Sequence, residues 1–216
     1  MAVKASWGLG TVDRRSMTDQ VLYEIRTAIL TGRIKPAEQL PEAVLARAFG
    51  TGRSAIREAL RQLVQEGLVV AEPNRGAHVR QLEPADVIDL YIARTLIEVE
   101  AAQRAIARPG RLELHHLRGA HQRIQRATPR DPTTLASAEL IAANLDFHRA
   151  MVALAGSPRL TRAHEPLAAE SQMLLAWHPP YPGPDYAADH QILLTAIKTR
   201  DPNIAQLVGD HLKLTS

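Results

Sequence analysis

The sequence predicts a mainly α-helical protein with a small N-terminal domain that includes a β-hairpin and a larger C-terminal domain that is an all-α bundle. Aromatic residues make up only 4% of the 216 residues, and Ala and Leu abound, as in chains built from strong helix formers. Apolar residues recur at helical spacing, and one short β-branched stretch precedes a turn signal. Basic residues are concentrated at the front: residues 1–81 hold 12 Lys and Arg against 8 Asp and Glu, whereas residues 82–216 hold 14 against 15.

Three helices are expected in the N-terminal third, after a flexible arm formed by residues 1–15. Apolar residues at helical spacing predict the first helix over residues 16–32 and the third over residues 53–67. A short second helix begins at Pro41-Glu42, and only the turn of residues 50–52 separates it from the third. We expect its apolar side chains to point inward, namely Val44, Leu45 and Phe49.

A β-hairpin is expected directly after the third helix. Leu68-Val69-Val70 is short and β-branched, the residues from Ala77 to Leu82 alternate, and the sequence PNRG between them is a turn signal. The tip of the hairpin is therefore Asn74-Arg75-Gly76. Three helices with a tight turn between the second and third, followed by a hairpin, form a winged helix-turn-helix, here over residues 16–82.

Three arginines lie in one stripe of the third helix, beside its apolar face. Residues four apart on a helix are neighbours, so Arg53, Arg57 and Arg61 repel one another unless something anionic faces them. In a winged helix-turn-helix this helix enters the major groove of DNA, where Arg53 and Arg57 would reach base edges and Arg61 a phosphate. Arg75 and Gly76 would contact the minor groove or a phosphate. The alternatives are a solvated basic face and a mobile turn.

Residues 83–216 are expected to form six helices and no strand. The pattern places them over residues 85–108, 111–128, 135–156, 157–177, 185–200 and 202–215. The absence of cysteine excludes disulfides and thiolate metal sites and fits a cytoplasmic protein. No apolar run of about 18 residues occurs, so neither a transmembrane helix nor a membrane partner is expected.

The N-terminal part resembles the GntR family of bacterial transcription regulators. The residues that carry the resemblance are IRTAILTGRIKPAEQL, LARAFG, GRSAIREALRQLVQEGL and NRGAHV, which follow the family's order and spacing over about residues 20–80. The resemblance implies contacts with double-stranded DNA, a palindromic operator bound by a homodimer. Arg53, Ser54 and Arg57 would make these contacts, and Arg47 on the second helix is a further candidate for a phosphate.

Three positions depart from the GntR pattern. Ala37 stands where the family usually has Gly after Pro, and Ala55 replaces a common Pro in the first turn of the third helix. Gly52 replaces a Ser or Thr whose hydroxyl would cap that helix and bond a phosphate. Glycine is a tolerated residue at a helix N-cap, so the helix is still expected to form, with one polar contact fewer.

The C-terminal part resembles the FCD ligand-binding domain of FadR-type regulators, in its shorter six-helix, VanR-like form. The resemblance covers about residues 85–214 and is carried by Arg94 and Glu98 within YIARTLIEVEAA, by NLDFH, and by DHQILLTAI with the residues that follow. It implies a domain, residues 83–216, that dimerises and binds a small organic-acid effector. Arg94 would clamp the effector's carboxylate, while a salt bridge between Arg94 and Glu98 is a compatible alternative.

FCD domains often hold a divalent metal with one acidic residue and three histidines. The matching positions here are Asn144, His148, His190 and His211. Imidazoles suit Zn or Ni, whereas the Asn144 amide oxygen is a poorer donor than a carboxylate. His211 follows Asp201 by ten positions, one fewer than the family pattern. Along a continuous helix one residue is a rotation of about 100°, which would aim this ligand away.

The chain has nine histidines, and a buried histidine need not bind anything. His115, His116 and His121 are expected at the surface, and His164 and His178 have no partner in a motif. Asp146 faces away from His148 on the same helix and is not an obvious substitute ligand.

The sequence favours a ligand-responsive transcription regulator, with repression relieved by the effector. One alternative is a DNA-binding dimer without metal or effector. The other is a helical metallohydrolase, which the two Asp-His pairs would suggest. However, the reversed His-Asp order of such phosphohydrolases is missing, and so are the GxSxG, HExxH and Walker motifs. The protein is therefore not expected to be an enzyme.

Overall fold

The computed structural model describes residues 17–73, 75–131, 133–180, 182 and 186–213. Within these residues the chain forms nine α-helices and one two-stranded antiparallel sheet, so the predicted fold class is confirmed. None of the described helices is long and apolar enough to cross a membrane. The predicted arm, residues 1–15, and the hairpin residue Asn74 lie outside the described residues.

The N-terminal domain contains three helices and a hairpin, in the predicted order. The elements are α1 (Met17–Leu30), α2 (Glu42–Ala48), α3 (Arg53–Gln65), β1 (Val69–Glu72) and β2 (Gly76–Val79). Apolar side chains spaced at three and four residues on α1 and α3 face each other and the start of the hairpin, which buries one cluster: Val21, Ile25, Ile29, Ile56, Leu60, Leu63, Leu68, Val69 and Val79.

The strands pair in the register Val69–Val79 to Glu72–Gly76. The segment before α2 runs along β2, because the Leu40 backbone N–H donates to the Ala77 carbonyl at 2.8 Å. β2 ends at Val79, three residues earlier than expected.

The prediction that Val44 points inward is wrong. Its side chain is 50% exposed, and α2 contains no fully buried residue. This helix has only two turns, so only the partly buried Leu45 and Ala46 of the helix, with Phe49 at its C-cap, pack against the core.

The C-terminal domain consists of six helices. They are α4 (Pro84–Ala107), α5 (His115–Ala127), α6 (Ala138–Ala153), α7 (Pro158–Trp177), α8 (Tyr186–Thr199) and α9 (Ile204–His211). Local chemistry fixes several starts: Glu83 and Asp86 form a capping box before α4, and the Ser137 and Ser157 hydroxyls cap α6 and α7. The main core lies between α5, α6, α8 and α9: Leu117, Ile124, Leu140, Phe147, Met151, Leu193, Ile197, Ile204 and Val208.

One helix contributes to both domains. Near its start, α7 packs Leu160 against Ala101 and Val152 of the C-terminal domain. Near its end, α7 places Met173 in the core of the N-terminal domain, with a side chain that is 2% exposed. The sequence did not indicate this connection.

Candidate DNA-binding surface and metal centre

The arginine stripe on α3 points outward. Ile56 and Leu63 are fully buried on the opposite face of the helix, while Arg53, Arg57 and Arg61 are exposed. The predicted orientation is therefore present.

Carboxylates of the same domain face part of the stripe. Arg57 makes two hydrogen bonds to Glu42 of α2, at 3.1 and 2.9 Å, and Arg61 makes two to Glu58, at 2.9 and 2.6 Å. Beside Arg61, the pKa of Glu58 is lowered to about 2. Arg53 makes no hydrogen bond within the described part of the chain. Exposed ion pairs contribute about 0–1 kcal/mol and are screened by salt, so phosphates can replace these carboxylates at little cost.

The remaining predicted DNA contacts surround the stripe. Arg47 and Ser54 are exposed, at the end of α2 and the start of α3. Arg75 is 79% exposed and lies 3.3 Å from Glu72. Gly76 has a φ of 80° and no atom within 4 Å of the position a Cβ would take, so backbone at the hairpin tip is open to a ligand.

A cavity of about 600 Å³ opens between α4, α6, α8 and α9 of the C-terminal domain. Its wall holds most of the side chains predicted to bind metal or effector, together with others: Tyr91, Arg94, Asn144, His148, Tyr186, Asp189, Leu193, Asp210, His211 and Lys213.

Three histidines converge at this cavity. Ring nitrogens of His148, His190 and His211 all lie within 4.8 Å of one another. Four nitrogens at the usual Zn–N distance of about 2.0–2.1 Å would be roughly 3.4 Å apart, so small side-chain rotations suffice to close the set around an ion. The donor set therefore fits a divalent metal.

Hydrogen bonds fix the orientation of two of these rings. Nδ1 of His148 donates to Glu98 Oε2 at 2.6 Å, and Nδ1 of His190 donates to the Tyr186 carbonyl at 2.8 Å. Because both Nδ1 atoms carry protons, the Nε2 lone pairs are left for a ligand. Burial lowers the pKa of His148 to about 4 and that of His190 to about 3, so both rings are neutral near pH 7.

Asn144, the fourth predicted ligand, lies beside His190. Its Oδ1 lies 2.8 Å from Nε2 of His190, which is the nitrogen without a proton. Two lone pairs then face each other unless the amide is rotated or a cation lies beside both atoms.

His211 lies with the other two histidines, contrary to the expectation from its short spacing. Its ring centroid is 4.5 Å from that of His190 and 5.3 Å from that of His148. The rotation argument assumed a continuous helix, but α9 begins only at Ile204. Asp201 lies in the turn between α8 and α9, next to Arg200 with its φ of 57°, and across this turn the rotation per residue is not fixed.

Arg94 and Glu98 form the predicted salt bridge, and both are fully buried. Arg94 Nε donates to Glu98 Oε1 at 2.9 Å, and its Nη1 donates to the Ser171 hydroxyl at 3.3 Å. Arg94 Nη2 also lies 2.9 Å from Oε1 but lacks the alignment of a hydrogen bond, and it finds no other acceptor within the described residues. This buried cationic N–H, on a side chain that lines the cavity, thus has unused hydrogen-bonding capacity.

Glu98 is the centre of a network that the sequence revealed only in part. It accepts hydrogen bonds from Arg94, His148 and His164, the last at 3.0 Å. Burial alone raises the pKa of Glu98, but these three partners together hold it well below its usual range. The position of His164 at i, i+4 with Leu160 and Ala168 was a signal of its burial.

His121 is also buried, so its prediction as a surface residue is wrong. Its Nε2 lies 3.1 Å from the Ala187 carbonyl. Leu117, Ala120, His121 and Ile124 form one buried stripe of α5, a pattern visible in the sequence. His115, His116 and His178 are exposed.

A second cleft, of about 640 Å³, lies between α5, α6 and α7. Asp146 is there, paired with Arg123 at 2.7 Å, and thus points away from the histidines as expected. Arg149 pairs with Glu165 in the same cleft. These charges neutralise one another, and no histidine triad accompanies them among the described residues.

Two family models match the chain. Residues 17–79 match the model described as bacterial regulatory proteins, gntR family, and residues 89–213 match the FCD domain, which alone covers more than half of the chain.

Curated relatives carry names of the same kind. YdhC of Bacillus subtilis, an HTH-type transcriptional regulator, is 31% identical over 133 residues, which are 62% of this chain and 58% of that protein. The "Probable D-xylose utilization operon transcriptional repressor" of Paenarthrobacter nicotinovorans is 27% identical over 199 residues, 92% of this chain and 86% of that protein. The repressor GlaR of Escherichia coli is 31% identical over 144 residues, 66% and 65% of the two chains. The chain thus spans less than two thirds of YdhC and of GlaR.

Solved structures show the same fold. A GntR regulator from Rhodococcus sp. RHA1 superposes with a TM-score of 0.77 at 24% identity, and E. coli McbR/YncC with 0.74 at 20%. Each superposition covers 92% of this chain and 94% of the solved chain. The chain therefore belongs to the GntR family of bacterial regulatory proteins, in the FadR-type branch that joins a gntR domain to an FCD domain, and its relatives are transcription regulators rather than enzymes.

Proposed function

We propose that this protein is a cytoplasmic, homodimeric repressor that binds a palindromic operator through α3 and releases it when a small carboxylate occupies the FCD cavity. The observation that carries the DNA-binding role is the exposed arginine stripe on the third helix of a winged helix-turn-helix. The relatives that are named as repressors support the sign of regulation.

Operator recognition is tested by selecting sequences from a random duplex library with the full chain. We expect Arg53→Ala and Arg57→Ala each to reduce the preference for the selected site over random duplex by about 1–3 kcal/mol, because a bidentate arginine–guanine contact has that value. Arg104→Ala removes one exposed charge from α4 and is the matched control. Binding is measured at one fixed salt concentration. Unchanged discrimination in both α3 variants would mean that another surface reads the operator.

We propose that Asn144, His148, His190 and His211 hold a divalent metal, Zn or Ni, and that Arg94 binds the effector beside it. A bound metal would act as a Lewis acid that anchors a carboxylate oxygen. The chain itself supplies the rest: Glu98 orients His148, the Tyr186 carbonyl orients His190, and the free Nη2 of Arg94 offers a second, cationic contact. The effector class that fits is a small organic acid.

Metal binding is tested by thermal unfolding with Zn²⁺ or Ni²⁺, followed by a panel of carboxylic acids. A ligand that binds only the native state adds about 2.7 kcal/mol at a hundredfold excess over its Kd, so the midpoint should rise. His190→Ala should abolish the rise, whereas the exposed His178→Ala should retain it. Equal rises in both variants would exclude this site. The absence of any response in the parent would favour the second candidate, a DNA-binding dimer without metal or effector.

The homodimer is proposed to form through α4. Ile88, Ile92 and Leu96 follow one another at intervals of four residues and are 54%, 55% and 68% exposed. We call these three residues the α4 ridge. Beside it, between α4 and α9, runs a mostly apolar groove of about 520 Å³ that includes Thr95 and Gly209. Ridges of this spacing pack into the grooves of a neighbouring helix.

A second copy of this chain is the occupant that suits the α4 ridge. A two-fold axis through Ile92 places Ile88 of each copy beside Leu96 of the other, so the apolar pattern complements itself. The same axis places Asp89 of each copy opposite Thr95 of the other, so these two carboxylates do not face each other. A palindromic operator requires this symmetry of the two N-terminal domains.

A further inference from the structure

The helix α7 contacts the buried side chains behind the cavity and also packs against the N-terminal domain. His164, near the start of the helix, bonds Glu98 at 3.0 Å, and Glu98 in turn holds His148. In the middle of the helix, the fully buried Ser171 accepts a hydrogen bond from Arg94 Nη1 at 3.3 Å and donates one to the Leu167 carbonyl at 2.8 Å. Ser171 is therefore hydrogen-bonded directly to Arg94, the side chain proposed to bind the effector.

The last two turns of α7 are built into the N-terminal domain. Met173 lies in the same buried cluster as Ile25 and Leu63, the inward residues of α1 and α3. Ala176 and Trp177 lie within 4 Å of the position that a Cβ would take on Gly32, directly after α1. A movement of this end of α7 would thus repack the residues that hold α1 against α3.

A polar contact marks the junction of α7 with the recognition helix. Gly67, just after α3, has a φ of 78°, and the Glu170 carboxylate occupies the space that a Cβ would need. Arg80 donates a hydrogen bond to the Gly67 carbonyl at 2.6 Å. Burial raises the pKa of Glu170, against the opposing attraction of Arg80. The turn that follows α3 is therefore in direct contact with α7 at Gly67.

Pro166 lies between the two points at which α7 meets the Glu98 network. Proline has no backbone N–H and cannot complete the helical hydrogen bond to the residue four positions earlier. The helix is consequently easier to bend at Pro166 than elsewhere, which allows its C-terminal part to move while His164 stays in place.

We propose that α7 transmits ligand binding to the N-terminal domain, with the Arg94–Ser171 hydrogen bond as the contact that couples them. A ligand carboxylate that draws the Arg94 guanidinium towards the cavity breaks its long hydrogen bond to Ser171, which measures 3.3 Å. Release of Ser171 removes the restraint on the part of α7 that follows Pro166, and Met173 and Glu170 carry the change to α3. Two arrangements of one packed helix, biased by the ligand, satisfy the physical requirement for coupling between sites. This inference rests on the proposed function of the cavity.

Trp177 supplies a reporter at the far end of α7. The chain has two tryptophans, Trp7 and Trp177, so Trp7→Phe leaves the junction residue as the only one. In this background the full chain is titrated with Zn²⁺ alone and with Zn²⁺ plus succinate. The readouts are Trp177 emission and hydrogen exchange at the Gly67 and Leu68 amides. We expect saturation to shift the emission and to change exchange at both amides.

Ser171→Ala should separate binding from its transmission. Zn²⁺ affinity should stay near that of the parent, while the changes in Trp177 emission and amide exchange should fall by about twofold or more, the scale at which coupling residues act. Thr161→Ala is the matched control, since its exposed hydroxyl donates to the carbonyl of Ser157, the N-cap residue of α7, without touching Arg94. Full responses in Ser171→Ala would overturn the proposal, as would a parent that binds Zn²⁺ and succinate without any change at Trp177 or Gly67.

If the chain binds neither Zn²⁺ nor succinate, the proposed metal site is refuted. The role of α7 is then tested by amide exchange in the ligand-free protein. Ser171→Ala should alter amide exchange at Gly67 relative to Thr161→Ala, because it removes the same restraint that the ligand would release. Identical exchange in these two variants would overturn the role of α7 in that case.

Discussion

The buried carboxylate of Glu98 organises the side chains around the cavity. It neutralises Arg94 and accepts hydrogen bonds from two histidines on different helices. Its bond to His148 Nδ1 presents the opposite nitrogen to the cavity, an arrangement that raises the basicity of a metal-binding imidazole.

Glu98→Gln is expected to weaken Zn²⁺ binding by about 10–100-fold, because the partner that orients and polarises His148 is lost. Glu100→Gln, on the exposed face of the same helix, is the control and should bind Zn²⁺ as the parent does. Affinity is measured by competition with a chromophoric chelator. Urea unfolding of both variants shows whether lost stability contributes, since Arg94 is left buried without its counter-charge. Equal affinities in the two variants would exclude a role for Glu98.

Individual ion pairs also offset the mutual repulsion of the arginines on α3 in the free protein. Glu42 and Glu58 face two of its three members across exposed surface. These pairs are weak, so they leave the stripe free to exchange carboxylates for phosphates.

At the scale of elements, the segment that leads into α2 carries a strained residue. Ala37 has a φ of 60°, the left-handed conformation that favours glycine, at a position where the GntR pattern usually has glycine. Its N–H donates to the Val79 carbonyl at 3.0 Å, which holds the segment against β2. The replacement of the usual glycine by Ala37 therefore raises the conformational energy of the backbone at this position.

Ala37→Gly is expected to raise the free energy of unfolding by about 0.5–1 kcal/mol, since relief of a left-handed alanine, about 1–2 kcal/mol, exceeds the entropy cost of glycine. The converse change, Gly76→Ala, places alanine at a φ of 80° in open space and should lower stability by a similar amount. Urea denaturation of the two variants measures both effects. A loss of stability in Ala37→Gly would show that Ala37 makes contacts that outweigh its strain.

At the scale of the whole molecule, the α4 ridge and the cavity share a helix. Tyr91, Asp210 and Lys213 border both the cavity and the groove beside the ridge. A partner copy seated in that groove would therefore lie next to the effector, and dimerisation and ligand binding would be thermodynamically linked.

Ile92→Asp is expected to shift the dimer to monomers, because it places a carboxylate at the two-fold axis, where it meets its own copy. Leu135→Asp, a change at an apolar residue that is 45% exposed outside α4, is the control. Sedimentation velocity measures the association state, and binding to one and two half-sites measures its consequence for DNA. An intact Ile92→Asp dimer would move the interface elsewhere, and a monomeric parent would refute the homodimer.

The sequence by itself determined the order of elements, the winged helix-turn-helix and the six-helix bundle. Helical periodicity, glycine and proline positions and turn chemistry are local properties, and they suffice for helices whose apolar faces are continuous. It also named the arginine stripe, because residues four apart share a helix face wherever that helix lies.

Only the tertiary structure decided which polar residues meet across the fold. The burial of His121 and His164, the place of His211 beside His190, the pairing of Arg57 with Glu42 and the entry of Met173 into the other domain's core all join residues far apart in sequence. Such contacts depend on how helices cross and on turns whose rotation is not fixed by residue count. Local sequence patterns show which face of a helix or strand is apolar. They do not show which neighbouring element that face will contact, or how a turn orients the next helix.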